Sequence, residues 1–374
     1  GIAWKDTTYL DIIMLFTVML SISIMGGGPR TDFWSTVACG LIPAFEFGTI
    51  SGMSRNRFNQ ILKFFCCYIL RPEDLETEGP RKGLPKDKAA KVRWFINVLQ
   101  HNFRRFWLPG KVWAVDESII PYLGRLCPFK VFMKDKPHRY GMKLWCSGDT
   151  FPGEVLEQIR GLWRFGERVV IFFARELPVG CYIFCDRYFT APKLCWYCLK
   201  QLGVYVTGTL MKSKKNLCAD IIFKKAKKIP RGYYGWAVCE AKHVAMVCWM
   251  DRTPVLCASA MIGANLAKAG IKRLRVFKKL AMMCPLMIVF YNLFMGGVDG
   301  SDRLKLNRHG SLELNIVCNS WVKRFILALF DMAVTNAYVI ARFSNPSLTH
   351  REFLMNLHKQ LLAKAQGHEI PGNR

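Results

Sequence analysis

Acidic residues are scarce in this chain, yet three of them stand where strongly apolar segments end. The sequence holds 27 Asp and Glu against 54 Lys and Arg. Asp116 lies in Val112-Trp113-Ala114-Val115-Asp116-Glu117-Ser118, and Asp186 closes Cys181-Tyr182-Ile183-Phe184-Cys185-Asp186. Asp299 and Asp302 fall in Met295-Gly296-Gly297-Val298-Asp299-Gly300-Ser301-Asp302, just after Leu286-Met287-Ile288-Val289-Phe290. A carboxylate at the end of a buried strand is costly unless it is paired or holds a metal. Clusters made only of oxygen donors suit Mg²⁺ and Mn²⁺. Taken alone, Asp299 reads equally well as a turn residue after two glycines. Taken with Asp116 and Asp186, it reads as the third ligand of a shared site.

The pattern around these aspartates predicts an α/β chain. Residues 1–108 are expected to be helical, with a Pro-rich charged loop from Glu73 to Lys91. Strands are predicted at Lys111–Ile120, Tyr140–Cys146 and Gly153–Gly161. A helix follows at Gly166–Leu177, then a strand at Cys181–Cys185, a helix from Pro192 to Leu202 and a strand at Val204–Gly208. Strand, strand, strand, helix, strand, helix, strand is the order of the ribonuclease H-like fold. That fold places one carboxylate on its first strand, one beside its fourth and one on a later helix. The predicted organisation is therefore an N-terminal helical DNA-binding or dimerisation domain at 1–108 and a ribonuclease H-like core at 109–216. A β-rich insertion at 217–284, a return of the core at 285–306 and a C-terminal helical region at 307–374 complete it. On a helix, Asp299 and Asp302 would share one face. Glu117 should point to the opposite side of the strand from Asp116 and is not assigned as a ligand.

The net charge is +27 with an isoelectric point near 9.7, and the excess is spread along the chain. A field of this size points to a polyanion, nucleic acid first. Lys130, Lys134, Lys136, Arg139 and Lys143 lie between the first two long strands; Lys212, Lys214 and Lys215 follow the fifth. Arg55 and Arg57 sit in a helical N-terminal segment. Each could line a phosphate path, and each singly fits a solvated basic face as well. His138, between basic residues, reads as a loop residue, and Trp321 as packing among the C-terminal helices. The 15 cysteines are odd in number and many lie in apolar runs, so they read as buried free thiols in a reducing compartment. Cys195-Trp196-Tyr197-Cys198 has no second pair beside it and reads as core rather than as a zinc site. The apolar run Ile12–Met25 is shorter than the ~20 residues a membrane helix needs and reads as a buried helix, so no membrane partner is expected.

Taken in order, these motifs resemble the piggyBac family of cut-and-paste DNA transposases over most of the chain. The family pattern Asp-Glu-Ser, Gly-Arg, Lys-Pro and Tyr-Gly-x-Lys is matched by Asp116-Glu117-Ser118, Gly124-Arg125, Lys136-Pro137 and Tyr140-Gly141-Met142-Lys143. Asp186-Arg187-Tyr188-Phe189-Thr190, Gly208-Thr209, Tyr291-Asn292 and Gly296-Gly297-Val298-Asp299 resemble the later motifs, and Met53–Phe58 and Trp321–Tyr338 the flanking helices. The resemblance implies a nuclear, metal-dependent enzyme that cleaves and transfers strands of double-stranded DNA at TTAA targets as a homodimer. It implies Asp116, Asp186 and Asp299 as catalytic ligands of two Mg²⁺ or Mn²⁺ ions, with Asp302 as an accessory catalytic carboxylate. The family's usual cysteine-rich zinc domain has no counterpart here, since no cysteine follows Cys318; no structural zinc is expected. The alternative reading is a domesticated or truncated DNA-binding relic without transposition.

Overall fold

A computed structural model of the protein describes residues 4–106, 110–134, 138–146, 150–151, 162–214, 217–223, 228–239, 243–260, 266–273 and 279–368. The helices are α1 (Tyr9–Ile24), α2 (Arg30–Phe33), α3 (Phe47–Ser51), α4 (Arg55–Phe64), α5 (Ala90–Phe106) and α6 (Phe165–Arg175). They continue with α7 (Pro192–Tyr197), α8 (Leu286–Phe294), α9 (Gly297–Lys305), α10 (Leu312–Asn315), α11 (Trp321–Ser344) and α12 (His350–Ala365). The strands are β1 (Val112–Pro121), β2 (Lys130–Phe132), β3 (Tyr140–Cys146), β4 (Thr150–Phe151), β5 (Tyr182–Cys185) and β6 (Tyr205–Thr209). Those that follow are β7 (Tyr234–Cys239), β8 (Val244–Met250), β9 (Pro254–Ser259), β10 (Leu266–Arg273) and β11 (Lys279–Pro285).

Nine strands form one mixed sheet in the order β2-β3-β1-β5-β6-β9-β8-β7, with β4 paired to β3 outside that path. The centre is parallel. β1 pairs with β5 in the register Val112↔Tyr182 to Val115↔Cys185, and β5 pairs with β6. Such strands are buried on both faces, which explains the unbroken apolar runs. Among the described residues the expected strands at 111–120, 140–146, 181–185 and 204–208 have counterparts in β1, β3, β5 and β6, with α6 and α7 between the later ones and the three-residue β2 as an addition too short to leave a periodic signal. The strand expected at 153–161 lies outside the described residues. In the segment 217–284, β7, β8 and β9 extend the main sheet through β9 on β6, while β10 and β11 form a separate hairpin. Asp251 to Pro254 is the turn between β8 and β9, as its composition predicts.

The chain divides into two compact units. One comprises Gly1–Asn102, Ile119–Met142 and Ser301–Arg374; the other comprises Phe103–Ser118 and Lys143–Gly300. In the first, α1 is centred in the core, burying Leu15, Met19, Leu20 and Ile22 against Phe58, Ile61, Leu327 and Leu354. Reciprocal Thr8 and Asp11 hydrogen bonds cap its start (2.9 and 3.2 Å), and Ser54 accepts the Arg57 N–H (3.2 Å) to start α4. By length and composition α11 passes the test for a membrane-crossing helix, but half of its apolar stretch is buried within the protein. In the second unit, Val115, Ile183 and Cys185 pack against Val169, Val170 and Phe173 of α6 and against Leu194 and Cys195 of α7. Cys195 and Cys198 are both fully buried in this core, and burial pushes both thiols up.

After β5 the chain turns sharply, and Thr190 Oγ1 donates to the carbonyls of Cys185 and Asp186 (3.2 and 2.8 Å). Gly208 of β6 lies against this turn. A Cβ there would collide with Thr190 Oγ1 and with the Cys185 carbonyl. Gly300, in α9, has open space around it. Gly208→Ala is therefore expected to destabilise the protein by about 2 kcal/mol or more, whereas Gly300→Ala should stabilise it by about 0.5–1 kcal/mol through helix propensity. Denaturant unfolding of the two variants checks this; equal stability would contradict the close approach.

Candidate active site

The register of β1 on β5 determines where two of the aspartates stand. Val115 faces Cys185 in the last pair of that ladder, so Asp116 and Asp186 are the next residues on neighbouring parallel strands. Adjacent strands lie about 4.8 Å apart, which brings the two carboxylates side by side. Side chains alternate along a strand, so Ala114 and Asp116 share one face of β1, and Asp186 follows directly on the end of β5, where Phe184 has the same face. Helix α8 covers this face: the rings of Phe184 and Phe294 are 5.2 Å apart. The chain then turns into α9, where a Cβ on Gly297 would lie 3.4 Å from the Ala114 Cβ. The start of α9 thus runs close to β1, and Asp299 lies in the first turn of the helix, facing solvent. An acidic residue in the first turn also complements the helix dipole.

The electrostatics agree with this placement. Burial pushes the Asp116 carboxyl up to about 6; the Glu117 N–H opposes the rise, and the charges of Asp186, Asp299 and Glu117 add to it. Burial likewise raises Asp186, against backbone hydrogen bonds from Tyr188 and Phe189. The Tyr188 N–H donates to Asp186 Oδ1 at 2.8 Å, which orients that carboxylate. Among the described residues no three His, Cys, Asp or Glu side chains are close enough to enclose an ion as they stand. The donor set still suits a hard divalent cation: oxygens only, from two strand ends and one helix, with Asp116 facing the charges of Asp186 and Asp299. Asp302, one turn beyond Asp299, forms an ion pair with buried Lys305 (3.4 Å), which also faces buried Glu313 (3.7 Å).

Glu117 points away from Asp116 as alternation requires and forms an ion pair with Lys143 of β3. The Lys143 ammonium also lies over the rings of Trp145 (4.3 Å) and Tyr188 (5.1 Å), so it is held beside the Asp186 turn. Other basic residues divide sharply. Lys214 is buried and paired with Glu167 (3.2 Å), so it serves the core and does not face a phosphate path. Arg57 donates to the carbonyls of Lys5 and Asp6 (2.8 and 3.0 Å) and to Asp11 (3.3 Å), tying the N-terminal segment down. Lys130 is half-buried and donates to the Gly124 carbonyl (2.8 Å). Arg55, Lys134, Arg139 and Lys212 are exposed, as is His138. Lys136 and Lys215 lie outside the described residues. Trp321 is buried and packs on Phe129 (5.2 Å). Sequence reasoning passed over Lys143 as a structural partner of Glu117 and took Tyr291 only as part of the Tyr291-Asn292 motif. The latter hydroxyl bonds Thr209 and is pushed up to about 12 by burial. The neighbouring positions of Glu117 and Lys143 on adjoining strands carried that signal.

A family model described as Transposase IS4 matches residues 2–338. The chain belongs to the piggyBac family of transposases. Human PiggyBac transposable element-derived protein 3 is 27% identical over 272 residues, covering 68% of this chain and 44% of that protein. Human PiggyBac transposable element-derived protein 2 is 27% identical over 360 residues, covering 91% of this chain and 57% of that protein. The chain thus spans about half the length of these relatives. A cryo-EM structure of a piggyBac transposase synaptic complex with hairpin DNA superposes with a TM-score of 0.75 at 19% identity, over 100% of this chain and 76% of that one. The mixed α/β architecture is therefore the one seen in that transposase.

Two outcomes follow from the buried charges. In metal-free protein Asp116 holds its proton up to about pH 6, whereas the unfolded chain releases it near 3.8. The folded state thus binds more protons between these values, and its stability falls as pH rises from about 4 to about 6. Asp116→Asn should remove this slope, worth about 2 kcal/mol after allowance for partial exposure; unfolding curves at both ends of the window measure it, and parallel profiles would refute it. Separately, Lys214→Met strands the Glu167 carboxylate and is expected to cost about 3–5 kcal/mol. Lys212→Met, at an exposed site, should leave the thermal midpoint unchanged; a small effect at both would contradict the buried pair.

Proposed function

We propose that this chain is a DNA transposase that breaks and joins DNA strands through Asp116, Asp186 and Asp299, acting on a ribonuclease H-like core. The observation that carries the reading is the arrangement of these carboxylates: two on neighbouring parallel strand ends, the third in the first turn of the helix laid against β1. The raised Asp116 carboxyl supports it, because a stable fold without a ligand to gain would neutralise or expose such a group. The chemistry that two divalent ions, Mg²⁺ or Mn²⁺, would bring when bound is Lewis-acid activation in phosphodiester cleavage and joining. The three aspartates would hold them. Asp186 is pre-oriented by the Tyr188 N–H, and Lys143 is kept from swinging into the carboxylates by Glu117 and two aromatic rings. Asp302 would position its helix turn rather than react, given its pairing with Lys305. The substrate is double-stranded DNA with TTAA targets in the nucleus, and the working form is a homodimer; the +27 charge supports a polyanionic partner.

The second reading, a relic that binds DNA without cutting it, draws support from the names of the human relatives, which are transposable element-derived proteins. Divalent-ion-dependent nicking of duplex DNA carrying transposon ends separates the two. Wild-type protein is expected to nick, and Asp116→Asn, Asp186→Asn and Asp299→Asn should each fall at least about a hundredfold in rate with DNA affinity kept. Asp302→Asn should lose less. Undiminished nicking by any of the first three variants would remove that residue from the mechanism; binding without nicking by wild type would leave the relic.

A further inference from the structure

The hairpin of β2 and β3 leaves two large rings in solvent, while Phe129 just before it packs against the C-terminal helix α11. Phe129 packs its ring on Trp321 and Phe325 (5.2 and 5.8 Å), and the Tyr122 hydroxyl donates to the Asn319 carbonyl (2.9 Å), so the root of the hairpin is anchored. Phe132 and Tyr140 are directly opposed in the ladder with rings 5.0 Å apart, yet they remain 58% and 44% exposed. The pair is rigid. Beyond it the Met133 N–H donates to the Arg139 carbonyl (2.7 Å), and on the other side the Tyr122 N–H donates to the Tyr140 carbonyl (3.1 Å). Cations surround the rings: the Lys130 ammonium lies 5.4 Å above Tyr140, and Lys134 and Arg139 are exposed at the outer end. Across Ile119–Met142 the sequence carries Arg125, Lys130, Lys134, Lys136 and Arg139 against Asp135 alone.

We propose that Phe132 and Tyr140 form a stacking platform for an unpaired base of a DNA strand, with Lys134 and Arg139 on the flanking phosphates. Exposed aromatic faces set among cations are what single-stranded nucleic acid recognises: every base offers a π-face and every linkage a charge. A fully paired duplex keeps its bases stacked and can use only the cations. The inference rests on the DNA-acting reading above and adds to it a preference for opened or unpaired DNA, residing in the hairpin and not in the aspartates.

The test compares two duplexes of equal length, one fully paired and one with a short unpaired bulge carrying 2-aminopurine, against the full chain. Wild type is expected to bind the bulged duplex about tenfold more tightly and to quench the 2-aminopurine fluorescence. Phe132→Ala and Tyr140→Ala should each lose most of that preference and quenching while keeping affinity for the paired duplex. Tyr140→Phe should retain both, which separates stacking from any fault in folding. Arg139→Ala should weaken both duplexes alike. Equal wild-type affinity for the two duplexes, or alanine variants that keep the preference, would overturn the proposal while leaving DNA binding intact. Alanine variants that dissociate a dimer on size-exclusion chromatography, with base preference unchanged, would also overturn it and make the face an interface between copies. Failure of wild type to bind either duplex would instead sink the DNA-acting reading, and this inference with it.

Discussion

Parallel pairing of β1 with β5 is the constraint on which the rest depends. It sets Val115 opposite Cys185 and so makes Asp116 and Asp186 neighbours. It also assigns the two faces of the sheet. Val115, Ile183 and Cys185 go to α6 and α7, while Ala114 and Phe184 go to α8 and the start of α9. A one-residue slip of either strand would turn that strand's carboxylate to the opposite, packed face. Gly208 guards this arrangement from β6, because the turn that ends β5 fits only against a residue without a side chain.

Buried charge is treated in two ways within the same unit. Glu167 with Lys214 and Glu117 with Lys143 are matched pairs, and they hold elements together. Asp116 is different: its carboxyl is half-buried, receives one backbone N–H and faces other carboxylates. Pairing at one place and withheld pairing at another gives the sheet both rigidity and a region of unmet negative charge in a strongly basic protein. That contrast, more than any single residue, is why the aspartates stand out.

Much of this was legible in the sequence because the parallel strands are short, apolar and punctuated. Cys181–Cys185, Tyr140–Cys146 and the helix stopped at Gly203 fall where patterning puts them. The first turn of α9 follows from the glycine pair before Asp299 and the apolar helix before that. The hidden part has physical causes. β2 is three residues long, and so no periodicity could reveal it. The joining of β7–β9 to the main sheet depends on β9 meeting β6, a pairing between distant segments that local pattern does not encode. Lysines look alike in a sequence, so buried Lys214 could not be told from exposed Lys212 before Glu167 was found beside it.

The interleaving of the two units has a consequence for how the molecule comes into being. Each unit is made of separated stretches, and the one carrying Asp116, Asp186 and Asp299 closes only at Gly300. A growing chain that has emerged past β9 already owns the central strands and two of the aspartates, but not α8 or the glycine contact that seats α9. The face of the sheet bearing Ala114 and Phe184 stays uncovered through most of synthesis, with long-range closure as the slow step. Partial chains therefore expose apolar surface and lack Asp299, so covering of the sheet and the arrival of this residue beside β1 come together, in a single late event.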